Sequence, residues 1–377
     1  MRDYLRYGWL LVAMAIAGAL AVISGCATPQ PAKEARRGPV FYPQAPEPPR
    51  IQHLTTIASG RDIVPRTGFA DFVLGEDTKT GKLKRPYGAT LSQGKLYVAD
   101  SRAPGIVIFD LNSRRVSTFE GRGVGLMKRP INVVVDSDGT RYVTDTGRNQ
   151  VLVYDANGGY VAGFGAKGDF KPVGVAVRGD RLYVVDLDHN QIHVLDKRTG
   201  KLLFKFGTTG TAEEGALFQP TNIALGPSGD VYVVETGNFR VSHFDADGKF
   251  LGRFGEIGQS PGTFARPKGI AVDRAGRIYV GDSAFQNVQI FDGKGRVLLA
   301  FGGGEEGGQG LNLPAGITID YDHVPLFRSY AAPGFEIEYL ILVVSQFDPD
   351  QVDIFGFGRM QGVAYPADPP AGAPPRG

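Results

Sequence analysis

The chain has 377 residues, 41 Lys and Arg against 39 Asp and Glu, and a formal net charge of +2. That balance carries no basic footprint of the kind nucleic-acid binders need, so nucleic acid is excluded as an expected partner. The single cysteine, Cys26, excludes a disulfide framework.

Arg2 and Arg6 give a basic start, and Trp9–Ile23 is an unbroken run of apolar and small residues. The run is short for a membrane span and suits a secretion signal, which places residues 1–25 outside the fold. It ends in Val22-Ile23-Ser24-Gly25-Cys26, which resembles the bacterial lipobox. That resemblance implies an acylated Cys26 as the new N-terminus. With Ala27 behind it, the resemblance implies an outer-membrane lipoprotein; the periplasmic face is the expected side. Two or three acyl chains would hold it stably, where one holds only marginally. Seven prolines between Pro29 and Pro49 make residues 26–50 an extended tether.

From Ile51 the pattern changes. Ile51–Ile57 has the β-branched alternation of a strand, and Phe69–Leu74 reads as a short turn or helix. A block then recurs from Pro86, Pro130, Pro172, Pro220, Pro267 and, degraded, Pro314, at a period of about 42 to 48 residues. In the second repeat its apolar runs are Val133–Val135, Tyr142–Thr144, Val151–Tyr154 and Tyr160–Phe164. Asp, Asn and Gly separate them, as in strands joined by tight turns. No sustained 3.6-residue period competes with this reading. Four antiparallel strands repeated six times describe a six-bladed β-propeller, an all-β fold.

Pro-x-Gly-Ile-Ala-Val-Asp, Tyr-Val-x-Asp, Asn-x-x-x-x-Phe-Asp and Phe-Gly together resemble the NHL repeat, most closely at Pro220 and Pro267. The resemblance runs from Pro86 to Gly358 and implies four-stranded NHL-type blades. It does not choose among protein binding, RNA binding and catalysis, which that family's propellers share among them. The sixth repeat offers strands at Gly316–Ile319, Tyr339–Val344 and Gln351–Phe355 and no fourth strand after Gly358. An N-terminal strand, Ile51–Ile57, is therefore expected to close a ring spanning residues 51–358. Residues 359–377, rich in Pro, Ala and Gly, read as a disordered tail. The insertion His323–Glu338 reads as a loop packed on the ring, or as a partner contact through Leu326, Phe327, Tyr330 and Phe335.

Three chemistries were weighed. No nucleophile with a base in reach is apparent. His53, His189, His193, His243 and His323 all lie away from the axial Pro-x-Gly strand, which argues against a zinc lyase. A calcium site would draw on Asn132 and Asn222, which replace the Pro-x-Gly glycine, with Thr221 beside one of them. Lys268 and the lack of an inner-strand carboxylate oppose it, so no cofactor is expected. The recurrent acids Asp100, Asp145, Asp186, Glu235 and Asp282 read as turn caps rather than catalysts. Arg85, Arg129, Lys171 and Arg266 precede the repeat prolines and would ring one tunnel mouth, as scaffold or as a site for an acidic ligand.

The expectation is a monomeric, membrane-anchored propeller that binds or assembles an envelope protein without catalysis. The alternatives are a lyase or lactonase-like hydrolase with a metal on the axis, and a carbohydrate or cell-wall binding module using loop aromatics such as Phe239 and Phe285.

Overall fold

The structure is a computed structural model that describes residues 38–64, 81–303 except 104, 166, 167 and 169, 310–347, and 349–365. The lipobox, Cys26, the tether up to residue 37, Phe69–Leu74 and most of the C-terminal tail lie outside the described residues. No helix among the described residues is long and apolar enough to cross a membrane.

Each of the first five repeats folds as a four-stranded antiparallel sheet, and the sixth supplies three strands to a five-stranded one. The first, innermost strands of the six blades are Pro86–Ser92, Pro130–Val135, Pro172–Arg178, Pro220–Leu225, Pro267–Val272 and Pro314–Asp320. Each packs against the inner strands of both neighbouring blades, and that of blade 6 against that of blade 1. In blades 1 to 5 the fourth, outermost strand is the next to be made before the chain crosses to the following blade. Blade 6 instead orders its strands as Pro314–Asp320, Phe335–Ser345, Gln351–Met360, Ile51–Ile57 and Phe41–Tyr42. Ile51 pairs with Phe357 and Ile57 with Val352.

Two boundaries differ from the composition-based ones. Phe41–Tyr42 pairs with Gln52 and Ile51, and the Tyr42 ring meets Phe301 at 6.0 Å, so the end of the Pro-rich segment is part of the blade. After Gly358 the third strand runs on to Met360, and the Tyr365 hydroxyl donates to the Pro49 carbonyl at 2.8 Å. Apolar residues with a register partner override a proline-rich composition, because burial of such rings is worth more than the extended preference of the intervening prolines.

There is no central core. Six apolar clusters each sit between two adjacent blades: Tyr97, Val143 and Leu152 between blades 1 and 2, for example, and Tyr232, Ile270 and Phe291 between blades 4 and 5. The Phe-Gly endings build these gaps. Gly165, Gly207, Gly255 and Gly302 have φ between +86° and +91°. A Cβ there would come within 2.6 Å of Phe170, Leu217, Phe264 or Leu311, so only glycine lets the chain turn over the interblade side chain.

The insertion is part of one such cluster. Val324–Phe327 makes a helical turn, and Val324 and Phe327 lie among Leu54, Leu83, Leu96 and Phe109. His323 accepts the Gly94 N–H on Nε2 at 3.0 Å, with Nδ1 2.8 Å from the Asp320 carboxylate. The segment therefore bridges blades 6 and 1. Phe327 and Phe335 are buried and Leu326 is half-buried, so of the four residues weighed as partner contacts Tyr330 alone, 44 % exposed, faces solvent. A segment with this many apolar side chains gains more by filling the gap beside blade 1 than by standing in water.

Candidate functional site

The acids at the ends of the second strands are fully buried and committed to the backbone. Asp145 accepts N–H bonds from Lys128, Arg129, Gly147 and Arg148. Asp100 does the same for Lys84, Arg85, Arg102 and Ala103, and Asp282 for Ala265, Arg266, Ala284 and Phe285. Each thus ties the segment entering its blade to the turn after the second strand. In blade 4 the longer Glu235 instead holds Phe218 N–H and the Arg240, Asn238 and Ser242 side chains. In blade 3, Asp186 lies 2.7 Å from His189 Nδ1 and 3.2 Å from His193 Nε2. Burial pushes the Asp186 carboxyl up, but the neighbouring His193 ring and the bonds from Lys171 N–H and His189 outweigh it and hold the group down at about 2.

On the axis, Asn132 and Asn222 meet with Nδ2 3.4 Å from Oδ1, and each Oδ1 accepts the next backbone N–H, of Val133 and Ile223. Their amides therefore face inner-strand backbone and one another. A Cβ on Gly88 would lie 2.1 Å from Asn132 Oδ1, so glycine in blade 1 makes room for the amide of blade 2. From this level toward the first hairpin turns the tunnel is a cavity of about 200 Å³. Most of its lining residues have apolar side chains, with Val134, Leu225, Val272 and Ile319 at the far end, although polar atoms make up more of the exposed wall than apolar ones. Among the described residues no group of three or more His, Cys, Asp and Glu is placed to hold a metal ion.

The other end of the tunnel, where the buried acids stand, is polar. Arg85, Arg129 and Arg266 are exposed, whereas Lys171 pairs with Asp188 at 3.5 Å. The ring of basic residues breaks at Gln219 and Leu313, whose backbones are left-handed with φ of 49°. Thr221 approaches Thr236 at 3.2 Å, and the Thr236 hydroxyl donates to the Pro267 carbonyl at 2.5 Å. Lys268 leans from blade 5 to blade 6 and donates to Gln346 Oε1 at 3.1 Å. Burial, reinforced by Arg266 and Arg85, lowers the Lys268 ammonium to about 8. Burial raises the Tyr87 phenol to about 12 against the opposing pull of Arg266. Of the residues weighed from sequence, Thr221, Lys268, Arg85 and Arg266 thus gather at this mouth, while Asn132 and Asn222 lie below it.

Tyr87 and Gln346 escaped sequence reasoning. The signal for Gln346 was present: where each of the other five blades places an acid, as in Asp100-Ser101, Asp145-Thr146 or Glu235-Thr236, blade 6 has Ser345-Gln346. A second polar group was also missed. Asp273 takes bonds from Arg277 Nε at 2.5 Å, Tyr339 at 2.9 Å and Tyr279 at 3.2 Å. It fastens blade 5 to blade 6 on the far side of the ring.

Apolar side chains are exposed in the segments that enter the blades and in the turns after the second strands. They include Val124, Leu126, Phe218, Ile257 and Phe347, the last 65 % exposed. Lys82, Lys84, Arg85, Arg102, Arg122, Lys128 and Arg129 stand exposed on the same face over blades 1 and 2.

An NHL repeat matches residues 264–291, the first three strands of blade 5. No curated protein matches the chain by sequence. Among solved structures, a gluconolactonase from Xanthomonas campestris is similar over 84 % of this chain and 97 % of its own, with a TM-score of 0.53 and 15 % identity. A protein of unknown function from Bacteroides thetaiotaomicron is similar over 81 % of this chain and 75 % of its own, with a TM-score of 0.55 and 16 % identity. A streptogramin B lyase covers 72 % of this chain and 83 % of its own, with a TM-score of 0.51 and 16 % identity. At such identities the likeness is one of fold. Repeat, sheet order and neighbours agree: the chain is a six-bladed β-propeller carrying an NHL repeat.

Proposed function

We propose that the chain is a bacterial envelope lipoprotein, held through an acylated Cys26 on the periplasmic side of the outer membrane, whose propeller binds a protein partner without catalysis. One observation carries the binding role. Basic and apolar side chains stand exposed together on a single face, at the end of the ring where the capping acids lie. An exposed mixture of arginines and large apolar groups is the composition of a docking surface rather than of inert surface. Asp100, Asp145 and Asp282 of that face accept scaffold N–H bonds, which supports a structural role for them.

Reversing charge at Arg85, Arg102 and Arg129 together should abolish capture of the partner from native membranes while leaving the melting temperature within a few degrees. Unchanged capture would remove this face from the reading. The anchor is tested separately: Cys26→Ser should end metabolic labelling by a palmitate analogue and release the protein into the periplasmic fraction. Labelling that persists in Cys26→Ser would overturn the anchor and leave the docking face untouched.

A further inference from the structure

We propose that the tunnel mouth between blades 5, 6 and 1 is a binding site for an oxyanion, a carboxylate or phosphate group, held by Lys268, Arg266, Arg85 and Tyr87. The site lies on the same face as the proposed docking surface and shares Arg85 with it, so its test rests on Lys268, Arg266 and Tyr87, which the docking test leaves intact.

Nearly every polar group here is a donor. Lys268 reaches over blade 6, where the equivalent positions are the small Ala315 and the uncharged Leu313. Its one described partner is a neutral amide oxygen, Gln346 Oε1 at 3.1 Å, so an ammonium with three protons to give has two left. Arg266 stands immediately before the inner strand of blade 5 and Arg85 immediately before that of blade 1, the two inner strands that flank that of blade 6, so both enter the mouth on either side of the blade that Lys268 reaches over. Their charges act on its ammonium, and that of Arg266 also acts on Tyr87. No described ion pair includes Lys268, Arg266 or Arg85. Tyr87, only partly exposed, keeps its proton at neutral pH and adds a neutral donor.

Crowding cations around a half-buried ammonium is unfavourable unless something anionic completes the set. The carboxylates nearest in the fold do not do so, because Asp100 and Asp282 face the backbone N–H groups they cap. Guanidinium forks and an ammonium at one mouth suit the planar oxygens of a carboxylate or the tetrahedral oxygens of a phosphate. The surrounding hydroxyls of Thr221 and Thr236 are engaged with each other and with the Lys268 and Pro267 carbonyls, so they frame the site without competing for the anion.

The test is thermal unfolding of residues 26–377 at pH 7 and constant ionic strength, in chloride, acetate, inorganic phosphate or a short peptide with a free C-terminal carboxylate. Binding to the native state raises the melting temperature with concentration. Phosphate, acetate or the peptide should raise it beyond chloride, and comparing them identifies whether phosphate, simple carboxylate or peptide terminus is preferred. Lys268→Gln should weaken that response at least tenfold, and Tyr87→Phe a few-fold. In chloride, Lys268→Gln should melt no lower than the wild type, because it relieves repulsion; a Lys268 held only for its bond to Gln346 would make it melt lower. Arg266→Gln gives the second variant should Lys268→Gln fail to fold. Equal responses to all four solutes, or an oxyanion response unchanged in Lys268→Gln and Arg266→Gln, would overturn the proposal.

Discussion

Blade 5 and blade 6 sit side by side and solve the same problem differently. Blade 5 is one continuous stretch of chain, and its buried Asp282 ties the entering segment to the turn after the second strand. Blade 6 joins two distant stretches. At the position of Asp282 it has Ser345, and its buried acid has moved to Asp353 on the third strand, bonded to Thr56, Ser345 and Gln351. The acid there pins the strand supplied from the N-terminal side instead of capping a turn. With the cap position relaxed, Gln346 is released to reach the tunnel mouth and Lys268. The regular blade maintains the ring, and the irregular one has room to differ.

That contrast can be broken by mutation. The largest effect is expected at the insertion, which blade 5 lacks. Phe327→Ala should cost about 3–5 kcal/mol, as for other buried aromatic truncations, while Tyr330→Ala stays within about 0.5 kcal/mol. Chemical denaturation reads both, and equal small effects would mean that the segment is not packed. Next, Asp282→Ala should cost about 3 kcal/mol because it removes a buried carboxylate that accepts four partly buried N–H groups, against about 1 kcal/mol for Ser345→Ala. Similar losses would mean that blade 6 still relies on that cap position.

Acid gives the third test. The folded Asp186 is held at about 2, below its ordinary value of 3.8. Its contribution is therefore fully present above pH 4 and is lost as pH falls from about 4 toward 2, an effect of about 2 kcal/mol. In Asp186→Asn the stability between pH 4 and pH 2 should fall less steeply than in the wild type, by one proton's worth of slope. The smallest effect is expected on the axis. Asn132→Gly restores the repeat's own residue and should change stability by about 1 kcal/mol or less, read as a shift in the urea midpoint.

The architecture was legible because each strand and turn is written six times, so noise in one copy is averaged by the others. The buried caps were legible for the same reason: an acid that recurs at a turn must serve the turn. What could not be read lay where sequence neighbours are not spatial neighbours. Phe41–Tyr42 sits among prolines and becomes a strand only because Ile51 and Gln52 offer it an edge. Phe327 and Phe335 look like a sticky loop until Leu83 and Leu96 of another blade surround Phe327 and Phe41 meets Phe335 at 5.4 Å. The mouth was half visible. Arg85, Arg266 and Lys268 could be aligned on the repeat, but that Lys268 points at Gln346 depends on the twist between two blades.

On the proposed reading, a partner docks on the face carrying the caps, the basic residues and the exposed apolar groups. Site-specific photo-crosslinking in intact cells tests it most directly, with the crosslinker at Arg129 or Phe347 on that face and at Asp138 or Asn157 in the turns at the opposite end of the blades. The prediction is a discrete crosslinked species from Arg129 and Phe347 and none from Asp138 and Asn157. The same species from both ends of the ring, or from Asp138 and Asn157 alone, would contradict it.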